Sequence, residues 1–354
     1  MLKPEHGGNV WPYINHFRIL DFSSNVNPLG PPKEVIEALS SELWRVQYYP
    51  DPDCLEFKKI ISKALSIPLE NVLVCNGSTE AIYLFSSIFL RNRKALIFNP
   101  TFEEYEASAK AYGAKSINVN LGPNYNFSVA TLREYLSTTP RLSAVFLCNP
   151  NNPTGTLLSP GTLLEIMKLT RDFNVMLFID ETFIDFVSDS LRLKPHKYLE
   201  YPNVVVAKSL TKSYCLPGLR IGYCIASCEI VKQLEQAKPT WSVSSLAQLA
   251  AIEALKSRDY LELSKRIINA ERAFLTDELS KINGITVYPS HANFILLKLA
   301  QASAEEVKEK LLARGVLVRS CSSFKGLGAN YLRIAVRLRW ENEALLSLLK
   351  KILV

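Results

Sequence analysis

The sequence predicts an α/β protein in which a mostly parallel sheet, wrapped by helices on both faces, is joined to a smaller α+β lobe. Three observations carry this. Through the middle of the chain, short runs rich in β-branched residues alternate with longer stretches of helical periodicity. The runs are continuously apolar, as strands covered on both faces are. Beyond residue 258 the order changes to a long amphipathic stretch followed by mixed strands and helices.

In chain order, "VLVC" (72–75) is the first strand, followed by a helix over 79–91. "ALIFN" (95–99) precedes a helix over 103–113, and "AVFLCN" (144–149) a helix over 160–173. "VMLFID" (175–180), "VVVAKSL" (204–210) and "YCIA" (223–226) follow, with helices over 229–236 and 244–257. A long helix over 259–282 leads to "ITVYP", "FILLKL", a helix near 303–314, "VLVRSC", "YLRIAV" and a final helix. The expected division is an N-terminal arm that joins the small lobe (1–45), a large domain (46–257) and a small C-terminal domain (258–354).

Composition narrows the function. A length of 354 residues exceeds one small core, and the net charge of +7 fits a ligand rich in phosphate or carboxylate. Nucleic acid is not expected, because the basic residues form no dense block. Seven scattered cysteines, several inside apolar runs, read as reduced thiols and a cytoplasmic protein. Cys224 and Cys228 have no histidine cluster beside them, so no metal is expected. The N-terminus lacks a signal-peptide pattern, and no apolar run is long enough to span a bilayer.

Ligands of open α/β sheets sit beyond the carboxyl ends of the strands, so the residues there matter most. After "VLVC" comes "NGSTEAIY", a glycine turn entering a helix whose free N–H groups suit an anion; taken alone it is a turn and a helix cap. After "ALIFN" comes Phe102, and after "AVFLC" the double X-Pro turn "NPNNPTG" with Asn152 in it. "VMLFI" ends in Asp180, a carboxylate costly to bury without a partner. "VVVAKSLTKSYCLPGLRIGY" ends in Ser209, Thr211, Lys212 and Arg220, with Lys208 as a second lysine. Together these offer an anion site for a phosphate monoester, a carboxylate for a protonated ring nitrogen, an aromatic to stack, an amide for a ring oxygen and a lysine to form an imine. That set describes a site for pyridoxal 5'-phosphate.

On "NPNNPTG", "DETFIDF" and "SLTKSYCLPGLRIGY" the chain resembles the fold type I aminotransferase superfamily, in its histidinol-phosphate aminotransferase-like branch, over essentially its full length. "HGGNV", "DFSSNVNPLG", "YYPDPD", "NGSTEAIY", "WSVSSLAQLA" and "RSCSSFKGL" bring it nearest, within that branch, to the L-threonine-O-3-phosphate decarboxylases of cobalamin synthesis. The resemblance implies a seven-stranded sheet and a homodimer. It puts the imine on Lys212, leaving Lys208 an ordinary strand lysine. Asp180 then faces the ring nitrogen, Asn152 the 3'-oxygen and Phe102 the ring face. Ser78, Thr79, Ser209, Thr211 and Arg220 hold the phosphate, and Tyr49 reaches a phosphate across the dimer interface. Arg333 takes the substrate α-carboxylate, while His6, Gly7, Asn25, Asn152 and Arg319 line the rest of the substrate site. Lys325 is a further candidate near Arg319.

Where many relatives carry a tyrosine three residues after the aspartate, this chain has Phe183, which cannot donate to the 3'-oxygen. The implied activity is decarboxylation of a small phosphorylated amino acid, O-phospho-L-threonine. Transamination of histidinol phosphate is the alternative on the same cofactor site. A non-catalytic ligand sensor is disfavoured by the retained lysine and by the lack of room for a DNA-binding domain before the fold begins.

Overall fold

The computed structural model describes residue 4, residues 6–13 and residues 19–353; the remainder of the expected N-terminal arm, residues 1–3, 5 and 14–18, lies outside the described residues. The chain runs β1 (Leu20–Asp21), α1 (Lys33–Ser41), α2 (Leu55–Leu65), β2 (Val72–Cys75), α3 (Gly77–Phe89), β3 (Lys94–Asn99), α4 (Glu104–Ala111) and β4 (Lys115–Asn120). It continues α5 (Val129–Thr138), β5 (Leu142–Cys148), α6 (Pro160–Asp172), β6 (Met176–Asp180), α7 (Pro195–Leu199), β7 (Val204–Ser209), α8 (Leu210–Ser213), β8 (Gly222–Ala226), α9 (Cys228–Ala237) and α10 (Ser245–Lys256). Then come α11 (Arg258–Ser280), β9 (Ile285–Val287), β10 (Phe294–Leu299), α12 (Ala304–Leu312), β11 (Val316–Leu317), β12 (Arg319–Ser320), β13 (Tyr331–Ala335) and α13 (Arg339–Leu353).

The main sheet has seven strands in the order β2-β8-β7-β6-β5-β3-β4, all parallel except β8, which is antiparallel to both neighbours. Its apolar runs explain the layering. Alternate residues of one run go to opposite faces: Ala144 and Phe146 join one core cluster, Val145 and Leu147 another. Each fully buried aliphatic side chain contributes roughly 1.5–3 kcal/mol, which makes the sheet a stiff platform for the loops at its edge. The carboxyl ends of β2, β3, β5, β6 and β7 open on one edge, and the expected site residues of the large sheet lie there.

The edge strand β4, "KSINVN", is not among the runs that the apolar signal picks out. It has one neighbour and its side chains are mostly exposed or half-buried, so it never needs a continuous apolar run. The run "VLVRSC", expected as one strand, divides in two. Val316–Leu317 pairs parallel with β1, whereas Arg319–Ser320 crosses to pair antiparallel with β13. A second core gathers Phe22, Ile268, Leu275, Phe294, Leu311 and Leu345, so the segment after β1 packs with the C-terminal elements.

Candidate active site

A cavity of about 320 Å³ opens at the sheet edge, between the strand ends and the β12–β13 pair. Its floor is built by β6 and β7. Asp180 ends β6 at 3 % exposure, with Tyr105 Oη donating to Oδ2 (2.9 Å) and the Thr182 amide to Oδ1 (2.9 Å). It has no ion-pair partner among the described residues. Burial pushes its carboxyl up, against the pull of Thr182 and Tyr105. An acid in that setting gains from a cation-bearing partner.

Lys212 sits two residues into α8, whose N-cap is Ser209 with its Oγ accepting from the Thr211 amide (3.2 Å). Burial first, and then the Arg333 and Arg220 charges, pull the Lys212 amine down to about 8. Thr211 Oγ1 is buried with no hydrogen-bond partner. Gly77 begins α3 at φ +72°, and a Cβ there would come within 2.7 Å of an Arg220 guanidinium nitrogen. The bare glycine thus lets Arg220 lie against the first turn of α3, beside Ser78 and Thr79. Ser78 Oγ is 3.1 Å from Thr182 Oγ1. A helix N-terminus, an arginine and an unsatisfied hydroxyl fit a phosphate monoester.

The opposite wall comes from β12 and β13. Arg319 and Arg333 are register partners and each is 6 % exposed. Arg333 donates to Asn152 Oδ1 (2.6 Å) and to the Ser23 carbonyl (2.8 Å), while its Nε is buried without a partner. Burial draws its guanidinium down to about 10. Arg319 donates to Ser323 Oγ (2.9 Å) and lies 3.8 Å from Glu103. Asn25 Oδ1 is a further buried, unpartnered acceptor. Gly7 packs so closely that a Cβ would sit 2.0 Å from the Ser23 carbonyl, so the N-terminal arm can pass there only as glycine.

His6 lines the cavity and bonds Glu104 Oε1 at 2.7 Å, with its ring centroid 5.5 Å from that of Phe102. The His6 bond, helped by Tyr83 Oη (2.9 Å), holds the Glu104 carboxyl below its usual range. Phe183 lines the cavity and packs edge-on against Phe294, ring centroids 5.0 Å apart.

The expected residues of the cofactor and substrate sets therefore converge on one cavity, with one exception. Tyr49 is 79 % exposed, stacked on Trp241 at 4.5 Å and outside the cavity. Lys325 also lies outside it, paired with Glu106 Oε1 at 2.7 Å. Lys208 is not an unremarkable strand lysine: its Nζ is 2.8 Å from Glu181. Sequence reasoning missed Ser23, Cys148, Thr182 and Glu104. Thr182 and Glu104 follow recognised residues in "DETF" and "PTFEEY", a signal that was available. Nothing local marks Ser23 or Cys148.

This fold and this site define a fold type I pyridoxal-phosphate enzyme. The sequence pattern of the family "Aminotransferase class I and II" matches residues 18–352, and the chain belongs to that family. It is 33 % identical over 361 residues to the threonine-phosphate decarboxylase of Salmonella typhimurium, covering 100 % of this chain and 98 % of that one. It is 36 % identical over 335 residues to a histidinol-phosphate aminotransferase of Caldanaerobacter subterraneus, covering 93 % and 92 %. Among solved structures, the histidinol-phosphate aminotransferase from Clostridium acetobutylicum superposes with a TM-score of 0.88 at 31 % identity, over 94 % of this chain and 99 % of that one.

Proposed function

We propose that the protein decarboxylates O-phospho-L-threonine to (R)-1-aminopropan-2-yl phosphate and carbon dioxide, a step of cobalamin biosynthesis. The observation that carries this reading is the pair of buried arginines, Arg319 and Arg333, facing the cavity that also holds Lys212. Two fixed guanidinium groups suit a small substrate with an anion at each end. In this reading Ser78, Thr79, Ser209, Thr211 and Arg220 hold the cofactor phosphate. Asp180 holds the ring nitrogen, Asn152 the 3'-oxygen and Phe102 the ring face. Bound pyridoxal phosphate supplies an electron-withdrawing ring that takes up the electron pair left at the substrate Cα when one of its bonds breaks.

Arg333, braced by Asn152 and the Ser23 carbonyl, binds the α-carboxylate. Arg319, with His6, Gly7 and Asn25, binds the phosphate end. Holding both ends fixes the torsion about Cα, and with it which Cα bond is broken. Lys212 acts at neutral pH because its lowered pKa leaves part of the amine uncharged, able to attack a carbonyl and later to return a proton to Cα. We place the enzyme in the cytoplasm as a homodimer. The exposed aromatic cluster of Trp44, Tyr48, Tyr49 and Trp241 supports that assembly, with Tyr49 directed to the phosphate site of the second copy.

A second reading, transamination of histidinol phosphate or a similar phosphorylated amine, draws on the 36 % identity to a histidinol-phosphate aminotransferase. Purified protein is to be mixed with pyridoxal phosphate and O-phospho-L-threonine, and carbon dioxide and aminopropanol phosphate assayed. Release of both, lost in Lys212→Ala, is the expected result. No carbon dioxide, with 2-oxoglutarate converted to glutamate from histidinol phosphate, overturns the decarboxylase reading in favour of the second.

A further inference from the structure

Strand alternation separates the residues at the ends of β6 and β7 onto the two faces of the sheet. Phe178, Val205 and Ala207 belong to the cluster on one face, and Asp180 and Ser209 continue that face. Ile179, Val204 and Val206 belong to the other, and Glu181 and Lys208 continue it. On this far face Lys208 Nζ lies 2.8 Å from Glu181 Oε2, with side-chain exposures of 12 % and 2 %. Tyr198 of α7 donates its hydroxyl to Glu181 Oε1. The Glu181 amide bonds the Ala207 carbonyl at 2.8 Å, one rung beyond the Asp180–Ala207 pair. Tyr223 stands opposite Lys208 on β8, and the charged or ionisable groups acting on it are Asp185, Tyr214 and Glu181.

Glu181 of this triad is one peptide from Asp180 and Lys208 is four residues before Lys212, yet no member of the triad lines the cavity. Apolar side chains would fill the same space without the desolvation cost of a buried ion pair, so packing alone does not account for the charges. We propose that Lys208 is a positioning residue for the cofactor: by neutralising Glu181 behind Asp180, it keeps Asp180 ionised and the ring nitrogen protonated. The charge of Glu181 already adds to the upward push on the Asp180 carboxyl, behind burial. The proposal rests on the pyridoxal-phosphate site and not on which substrate is used.

The test is the visible absorbance titration of the holoprotein, with cofactor dissociation measured alongside. The titrating proton sits on the nitrogen joined to Lys212, and a protonated ring makes that nitrogen more acidic. Lys208→Met leaves Glu181 uncompensated, so Asp180 loses hold of the ring proton and the titration midpoint rises by about half to one pH unit. Cofactor dissociation then increases about 3- to 10-fold. Glu181→Gln leaves the Lys208 charge alone and moves the midpoint down. The double variant returns it close to wild type, Lys208→Arg leaves it unmoved, and Tyr198→Phe shifts it slightly upward. Opposite signs from the two single variants are the signature of a charge effect; a packing defect does not produce them. If Lys208→Met does not fold, Glu181→Gln decides alone by its downward shift. Single variants that shift the midpoint in the same direction, or that lower Tm without moving it, overturn the proposal. A wild-type protein with no visible band overturns the cofactor site itself, a separate outcome.

Discussion

Replacing Lys212 with methionine should make the apoprotein more stable. The amine falls from 10.5 to about 8 on folding, chiefly by burial and then by the Arg333 and Arg220 charges. A depressed lysine pKa means that the folded state binds the proton less tightly than the unfolded state. Stability therefore rises with pH between those two values. Below about pH 8 both states carry the proton, and the folded state bears the full cost of about 3 kcal/mol. Through the window the cost shrinks by about 1.4 kcal/mol per pH unit, and it vanishes above the unfolded value. Methionine has similar length and no charge, so Lys212→Met removes the cost at pH 7 and gains nothing near pH 10.5. Urea unfolding of cofactor-free wild type and variant at pH 7, 9 and 10 measures the difference directly. A variant equal to or less stable than wild type at pH 7, or a gain that does not fall with pH, refutes the electrostatic account of Lys212.

Thr211→Val removes a buried hydroxyl that has no hydrogen-bond partner, so apoprotein stability is expected unchanged or slightly raised, while pyridoxal phosphate dissociation increases roughly 10- to 150-fold on loss of one bond to a charged group. Equilibrium dialysis and thermal melts separate the two effects. Gly77→Ala forces a Cβ to 2.7 Å from the Arg220 guanidinium at a φ of +72°; it is expected to cost about 1–2 kcal/mol in Tm-derived stability and to weaken cofactor binding by displacing Arg220.

The parts of this site that sequence shows are the ones where chemistry contradicts its surroundings. Asp180 ends a wholly apolar strand and Lys212 follows another, and a charge at the end of a buried run is visible without coordinates. Six of the seven strands of the main sheet were legible because both of their faces are covered, and the seventh, β4, was not, because this edge strand carries no continuous apolar run. The pairing of Arg319 with Arg333 could not be read from spacing. It depends on the chain leaving one small sheet after Leu317 and entering another at Arg319, a tertiary choice. His6 and Glu104 are 98 residues apart, and nothing in either local sequence foretells their bond. Lys208 was legible as a strand residue and misleading as an ordinary one, since its partner Glu181 lies just past the end of the neighbouring strand β6.

Because Arg333 and Arg220 lower Lys212 while facing the cavity, the lysine's protonation is tied to whatever anion occupies that cavity. An anion at either arginine offsets a charge that opposes the ammonium, and the amine becomes more basic even though its burial is unchanged. Anion binding must then take up protons, with the sign fixed by linkage. A rise of one unit from about 8 corresponds, at pH 8.5, to uptake of about half a proton per site. Titrating cofactor-free protein with inorganic phosphate by calorimetry, in two buffers of different ionisation enthalpy, counts those protons. The expected uptake peaks between pH 8 and 9 and disappears in Lys212→Met. Phosphate binding with no uptake, or the same uptake in the variant, would show that the arginine charges and the lysine are not coupled, and that burial alone sets the amine.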